Sequence, residues 1–89
     1  MARFEISDIE CASLGKAPVA ADTFYDLGMM YSVGCNVAVD YVSAHKWFNL
    51  AAMRGSADAV RLRREIAAQM SEAEIAQAQR AARAWLNAA

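Results

Sequence analysis

From residue 20 to residue 87 the chain contains no proline, and its apolar residues recur at intervals of three and four. That spacing puts them on one face of an α-helix, so it predicts a series of amphipathic helices. Alanine, the best helix former, is dense toward the C-terminus, and the 89 residues allow one small domain. The sequence therefore predicts an all-α domain.

Capping residues and glycines divide this pattern into four helices. We expect helices over residues 20–33, from Asp40 to about Met53, from Ser56 or Asp58 to Met70, and from Glu72 to about Asn87. Asp40 is expected to cap its helix through its carboxylate, and Ser71 with Glu74 forms an S-x-x-E capping box. Gly34 and Asn36, between the first two helices, are residue types that tolerate a left-handed backbone.

One face of each expected helix is apolar and is predicted to be buried. These faces comprise Phe24, Leu27, Gly28 and Tyr31; Tyr41, Ala44, Trp47, Phe48, Ala51 and Ala52; Ala59, Leu62, Ile66 and Met70; and Ile75, Ala78, Ala82, Trp85 and Leu86. Gly28 costs its helix about 1 kcal/mol relative to alanine. A glycine in such a position predicts the close approach of a second helix.

The stretch from Thr23 to Ala59 resembles one Sel1-like repeat, a relative of the tetratricopeptide repeat (TPR) with a longer loop between its two helices. The residues that fall on the family pattern are Leu27, Gly28, Tyr31, Gly34, Val37, Asp40, Ala44, Trp47, Phe48, Ala51, Ala52, Gly55 and Ala59. Asn36 stands where the family has a second loop glycine, and Thr23 stands where it has a small residue. The resemblance implies antiparallel helix pairs in a short α-solenoid, and protein–protein interaction as the function.

The resemblance also implies three parts in the chain. They are an N-terminal segment at 1–19, with a short capping helix as one interpretation; the Sel1-like repeat at 20–58; and a C-terminal capping helix pair at 59–89, similar to the endings of Sel1-like arrays in bacterial proteins. Repeat proteins bury their core between neighbouring repeats, so a single repeat leaves an open end. Either the N-terminal segment covers this end through Phe4, Ile6 and Ile9, or a second chain does.

Three side chains of the first helix fall off its buried face and are candidates for binding a protein. Met29, Met30 and Val33 lie on the side that lines the concave face in solenoids of the resembled type, with Asp22 and Asp26 at its edge. Exposed methionines adapt to a partner helix or peptide. The alternative is that these side chains pack beneath the N-terminal segment.

A group of arginines supports an alternative function. Arg61, Arg63 and Arg64 lie close together on the third helix, with Arg54 shortly before them. Guanidinium groups bind carboxylates and phosphates, so this group could serve a regulator that binds an acidic partner or a nucleic acid. The pI near 5.7 and the lack of aromatic residues among the arginines argue against nucleic acid. The remaining interpretation is a solvated helix face.

His45 and the two cysteines are the residues from which a catalytic or redox site could be built. His45 lies between Ala44 and Lys46 and is expected on the surface, and Cys11 and Cys35 are expected to be reduced. No convergent set of acid, base and nucleophile accompanies them, and the cysteines lack zinc spacing. We therefore expect no enzymatic activity, no cofactor and no metal.

Hydropathy and the N-terminal residues bear on location. The sequence has no run of about 18 apolar residues, and acidic residues stand where a signal peptide needs an apolar core. These patterns favour a cytoplasmic protein without a membrane span. With the resemblance, they lead to an expected function as a non-catalytic adaptor or assembly factor that holds a protein partner or a second copy of itself.

Overall fold

The computed structural model describes residues 21–88, with side chains from Thr23 onward. Over this range the chain forms four α-helices and no strand, which confirms the all-α class there. The helices are α1 (Ala21–Val33), α2 (Tyr41–Met53), α3 (Ala57–Ala67) and α4 (Glu72–Ala88). The N-terminal segment at 1–19, including Phe4, Ile6 and Ile9, lies outside the described residues.

Helices α2, α3 and α4 begin at capping residues that the sequence predicts. The Ser43 N–H donates to the Asp40 carboxylate at 3.2 Å, and the Ala59 N–H donates to the Ser56 hydroxyl at 3.1 Å. In the capping box the Ser71 N–H donates to Glu74 Oε1 at 2.9 Å, and the Glu74 N–H donates to Ser71 Oγ at 3.1 Å. Each cap satisfies a backbone donor that has no partner within its helix.

Helix α3 is the element whose length differs most from the expectation. It ends at Ala67 rather than at Met70. The Gln69 N–H donates to the Ile66 carbonyl at 2.9 Å, and the Met70 N–H donates to the Ala67 carbonyl at 3.1 Å. These tighter bonds between residues three apart replace the helical pattern and turn the chain toward Ser71.

Helices α1 and α2 form an antiparallel hairpin. Phe24, near the start of α1, stacks on Trp47 at 5.9 Å between ring centroids, whereas the Tyr31 carbonyl at the other end accepts from the Asp40 N–H at 2.9 Å. The loop between them has left-handed backbone at Gly34 (φ 80°) and Asn36 (φ 64°), as predicted. The loop thus reverses the chain in the space of a few residues.

Helix α2 is the centre of the fold, because α1, α3 and α4 all pack against it. Its buried residues are Ala44, His45, Phe48, Leu50 and Ala51. The predicted apolar face accounts for three of them and misses His45 and Leu50. A helix with neighbours on several sides has no single buried face. The periodic pattern of apolar residues therefore underestimates how many of its residues are buried.

The prediction that His45 lies on the surface is wrong, since only 3% of this residue is exposed. The reason lies one turn further along α2. There the Arg63 guanidinium of α3 donates to Asn49 Oδ1 at 2.6 Å. The side of α2 that carries His45 and Asn49 therefore faces α3 rather than solvent.

Helix α4 returns to the α1–α2 hairpin near its C-terminal end. The Trp85 ring lies edge-on to Phe24 at 5.1 Å and to Trp47 at 5.9 Å. Ala78 and Ala82 are buried along the same helix, as the sequence pattern predicts. Edge-to-face rings add to the stabilisation from burial, so this cluster fixes α4 against both helices of the hairpin.

Cys35 lies two residues after the end of α1 and is buried in the interhelical loop, with 7% of the residue exposed. Its N–H donates to the Met30 carbonyl at 3.0 Å. The cysteine is disulfide-bonded, so the prediction of a reduced thiol is wrong at this position. Cys11, the other cysteine of the sequence, lies outside the described residues.

Within residues 21–88, no helix combines the length and the apolar character needed to cross a membrane.

Candidate protein-interaction groove

A groove of about 490 Å³ lies between α1 and α3, with α2 beneath it. Helix α1 contributes Tyr25, Met29, Ser32 and Val33; α2 contributes Tyr41 and Phe48; α3 contributes Arg61, Leu62, Glu65 and Ile66; and Gln69 lies in the turn after α3. Phe48 and Ile66 are buried, so they form the floor, and the other side chains are more accessible. The groove is thus an apolar trough with polar side chains along its α3 wall.

Helical spacing explains why these residues share one surface. On α1, Tyr25, Met29 and Ser32 are separated by four and three residues, and on α3, Leu62 and Ile66 are separated by four. Residues three and four apart lie on one helix face, so each wall is a single stripe. The Ser32 hydroxyl donates to the Met29 carbonyl at 3.0 Å, which leaves the apolar side chains to define the α1 wall.

Acidic side chains lie near Tyr25, at one end of the groove. Burial raises the pKa of the Tyr25 phenol, the negative charges of Asp58 and Asp26 raise it further, and the positive charge of Arg61 opposes them. Arg61 pairs with Asp58 at 3.7 Å and with Glu65 at 3.3 Å. Asp58 and Glu65 therefore share one guanidinium, which leaves this group of side chains negative and favourable to a cation.

The structure separates the five candidate residues that the sequence assigns to the concave face. Met29 and Val33 line the groove. The negative charge of Asp26 raises the pKa of Tyr25 at the acidic end of the groove. Met30 is half-buried and is not among the lining residues. The side chain of Asp22 lies outside the described part. The sequence analysis did not propose Tyr25, although its spacing of four from Met29 is the signal that could have found it.

The structure also divides the arginine group of α3. Arg61 lines the groove and is paired with Asp58 and Glu65. The Arg63 guanidinium instead donates a hydrogen bond to Asn49 of α2. Arg64 is exposed in the last turn of the helix. Arg54 lies elsewhere, with its guanidinium 5.5 Å from the Phe24 ring. Arg61 and Arg63 thus engage different neighbours.

His45 does not line the groove. Burial lowers the pKa of its imidazole, and the nearby positive charge of Arg63 lowers it further. Among the described residues, its buried Nδ1 atom has no hydrogen-bond partner. Burial and the charge of Arg63 therefore both favour the neutral form of the imidazole.

Comparisons with protein families, with curated proteins and with solved structures find no match to this chain. The argument for function therefore rests on the groove and on its residues.

Proposed function

We propose that this chain is a non-catalytic protein-interaction module, an adaptor or assembly factor of the Sel1-like type, and that it binds a segment of a protein partner in the groove between α1 and α3. The groove is the observation on which the proposal rests. Within this proposal, α1 and α3 are the first helices of successive helix pairs, and these are the helices that line the concave face of such solenoids.

Local geometry supports the Sel1-like assignment. Gly28 lies against the Phe48 ring, Gly34 has left-handed backbone, and Asp40 caps α2. Gly55, with φ 102°, lets the chain turn from α2 toward α3. These are the roles that the resemblance gives to the same residues, so the local backbone is compatible with one complete repeat.

The lining of the groove defines the chemistry of its ligand. Met29, Val33 and Leu62 offer an apolar surface with adaptable side chains, which suits a segment carrying two or three apolar residues. The two carboxylates that share Arg61, Asp58 and Glu65, favour a lysine or arginine at that end of the segment. The proposed ligand is therefore an apolar segment with a basic residue at one end.

No structural observation favours the alternative, a regulator that binds an acidic partner or nucleic acid through its arginines. That function would need Arg61, Arg63 and Arg64 to present their charges together. Arg61 is paired with two carboxylates, and Arg63 is used between α2 and α3. Ligand selection from random peptides can still distinguish the two, because the alternative requires acidic ligands.

Selection of displayed random peptides by the purified full chain tests the proposal. It is performed with and without a reducing agent, so that the state of the Cys35 disulfide is controlled. The expected peptides carry apolar residues and a terminal lysine or arginine. Acidic peptides, or no enrichment in either condition, would contradict the proposed function.

Matched variants locate the bound peptide. Val33→Lys places a cation in the groove, whereas Val39→Lys makes the same change at a loop residue that is 54% exposed and outside it. The first variant is expected to lose the selected peptides and the second to retain them. Glu65→Gln removes a carboxylate of the groove and is expected to weaken the enrichment of peptides with a lysine or arginine. Glu72→Gln on α4, outside the groove, is expected to leave that enrichment unchanged.

A further inference from the structure

We propose that His45 makes the groove sensitive to acid: a proton on its imidazole separates α3 from α2, and the groove loses the wall that α3 provides. The separation of α3 is a property of this chain alone, and only its effect on a bound segment rests on the proposed function. Its support comes from the burial of His45, from the polar contact beside it and from the few side chains that anchor α3.

His45 lies at the contact between α2 and α3 without the partner that a charged imidazole needs. Only 3% of the residue is exposed, and no described residue forms a hydrogen bond with its buried Nδ1 atom. One turn further along α2, Asn49 Oδ1 accepts from the Arg63 guanidinium of α3 at 2.6 Å. A proton on the ring adds a second positive charge to an interface that already contains Arg63. Such a charge costs free energy as long as α3 stays in place.

The charged groups around the ring do not offset this cost. Burial and the positive charge of Arg63 both lower the pKa of the imidazole, and no carboxylate of the described residues is among the groups that shift it. On α3, Asp58 and Glu65 pair with Arg61 instead. Lys46, the neighbour of the histidine on α2, lies over an aromatic ring. Helices α1 and α4, which also pack against α2, supply no charge that acts on the imidazole.

Helix α3 is the element that yields to this cost, because few side chains hold it. Its buried residues are Ala59 and Ile66, so a single large apolar side chain is buried along it. Helix α4, in contrast, is held by the contacts of the Trp85 ring with α1 and α2. The turn before α3 contains Gly55, which has φ 102° and open space around the position of a Cβ atom. An element with few buried contacts separates at a lower free energy than the core does.

The direction of the effect follows from the two protonation equilibria of His45. While α3 is docked on α2, the pKa of the imidazole is lowered. Once α3 separates, water reaches the ring and its pKa returns toward the ordinary value of about 6.5. The separated form therefore binds the proton more tightly. Its population grows as the pH falls below about 6.5, until the lower pKa of the docked form is reached.

Separation of α3 dismantles one side of the groove. This helix supplies Leu62 and Ile66 to the apolar lining and Glu65 to the polar wall. A segment that binds the docked form therefore binds more weakly in mild acid. Because one proton is involved, its dissociation constant rises by at most about tenfold for each unit by which the pH falls. The coupling is reciprocal, so a bound segment lowers the pKa of His45 further.

NMR spectroscopy of the ligand-free full chain tests the separation of α3. His45 is the only histidine of the sequence, so its imidazole Cε1–H resonance reports a single titration between about pH 8 and about pH 5. Nuclear Overhauser contacts between the side chains of Arg63 and Asn49 are expected to disappear with the same midpoint. Contacts between the Tyr25 and Phe48 rings, 5.9 Å apart within the α1–α2 hairpin, are expected to persist.

Three outcomes of this titration would overturn the proposal. If the Arg63–Asn49 contacts persist while His45 titrates, the ring accepts its proton without moving α3. If these contacts and those of the hairpin disappear together, acid unfolds the whole domain rather than releasing one helix. If His45 does not titrate in this range, the groove has no proton-sensitive element there. No ligand is present, so each of these failures is distinct from a failure of the peptide selection.

The effect on binding is measured with His45→Gln as the matched variant. The peptide is one selected at neutral pH that contains neither histidine nor carboxylate side chains. Its affinity for the wild-type chain is expected to fall between about pH 7.5 and about pH 5.5, by up to about a hundredfold for one coupled proton. The variant keeps every carboxylate of the groove and is expected to lose much less affinity. Equal losses in the two chains would show that His45 does not control the groove.

Discussion

The Phe48 ring occupies the place where a side chain on Gly28 would begin. A Cβ atom at position 28 would lie 2.6 Å from both Cδ1 and Cε1 of the ring, closer than carbon atoms pack. Phe48 is fully buried beneath the groove, so a shift of its ring would disturb the packing around it. The absence of a side chain at one residue thus sets how closely α1 approaches α2.

Gly28→Ala is expected to destabilise the fold despite the better helix propensity of alanine. Overpacking costs about 1–3 kcal/mol, and the propensity gain returns about 1 kcal/mol. We expect a lower urea midpoint with an unchanged slope, and Phe48→Leu in the same chain is expected to relieve part of the loss. A Gly28→Ala chain as stable as the wild type would refute the close contact.

Much of the fold follows from local sequence rules. The caps at Asp40, Ser56 and Ser71, and the left-handed backbone at Asn36, depend on a few neighbouring residues, so the sequence predicts them. The burial of His45 is different, because it depends on α3 packing along α2. A prediction from apolar periodicity assumes that each helix has one buried face, and that assumption fails for a central helix.

The candidate site could be predicted only in part for the same reason. Apolar periodicity alone places Met29 and Val33 off the buried face of α1, and both residues line the groove. It assigns Leu62 to the core, whereas this residue both packs against the core and lines the groove. The separation of Arg61 from Arg63 depends on Asn49, which is distant in sequence, so no local pattern reveals it.

Trp47→Ala is expected to remove the link between α4 and the hairpin. Trp47 contacts the rings of both Phe24 and Trp85, and truncating a large aromatic residue costs about 3–5 kcal/mol. In a domain this small we expect loss of the cooperative thermal transition. Lys46→Ala is the control, since the Lys46 ammonium lies 4.1 Å from the Trp47 ring centroid and contributes about 1 kcal/mol or less. Equal melting of both variants would exclude an anchoring role for the cluster.

Stability is expected to fall in mildly acidic solution because of His45. Its pKa in the folded chain is lowered, so the unfolded chain binds the proton more tightly. The stabilisation is therefore complete above the ordinary histidine pKa of about 6.5 and declines as the pH falls through the lower folded value. Denaturant unfolding at a series of pH values checks this, with His45→Gln expected to show a smaller loss on acidification. Identical pH profiles would show that the imidazole does not titrate in this way.

The disulfide at Cys35 is expected to contribute measurably to stability. Reduction should raise the intact mass by about 2 Da, the mass of two hydrogens. If the bond joins Cys11 to Cys35, the closed loop corresponds to about 3 kcal/mol of stabilisation. Calorimetry before and after reduction, with Cys35→Ser as a second comparison, checks this value. A non-reducing digest that lacks a cross-linked Cys11–Cys35 peptide would contradict the intrachain bond.

Calorimetric titration of a selected peptide into two lysine variants of the reduced chain tests most directly whether the groove is the interaction surface. Val33→Lys is expected to weaken binding by at least about tenfold, or 1.4 kcal/mol, because it adds a cation within the apolar wall. Val39→Lys, with the same change outside the groove, is expected to bind as the wild type does. Equal affinity of the two variants would contradict the assignment of the groove as the binding site.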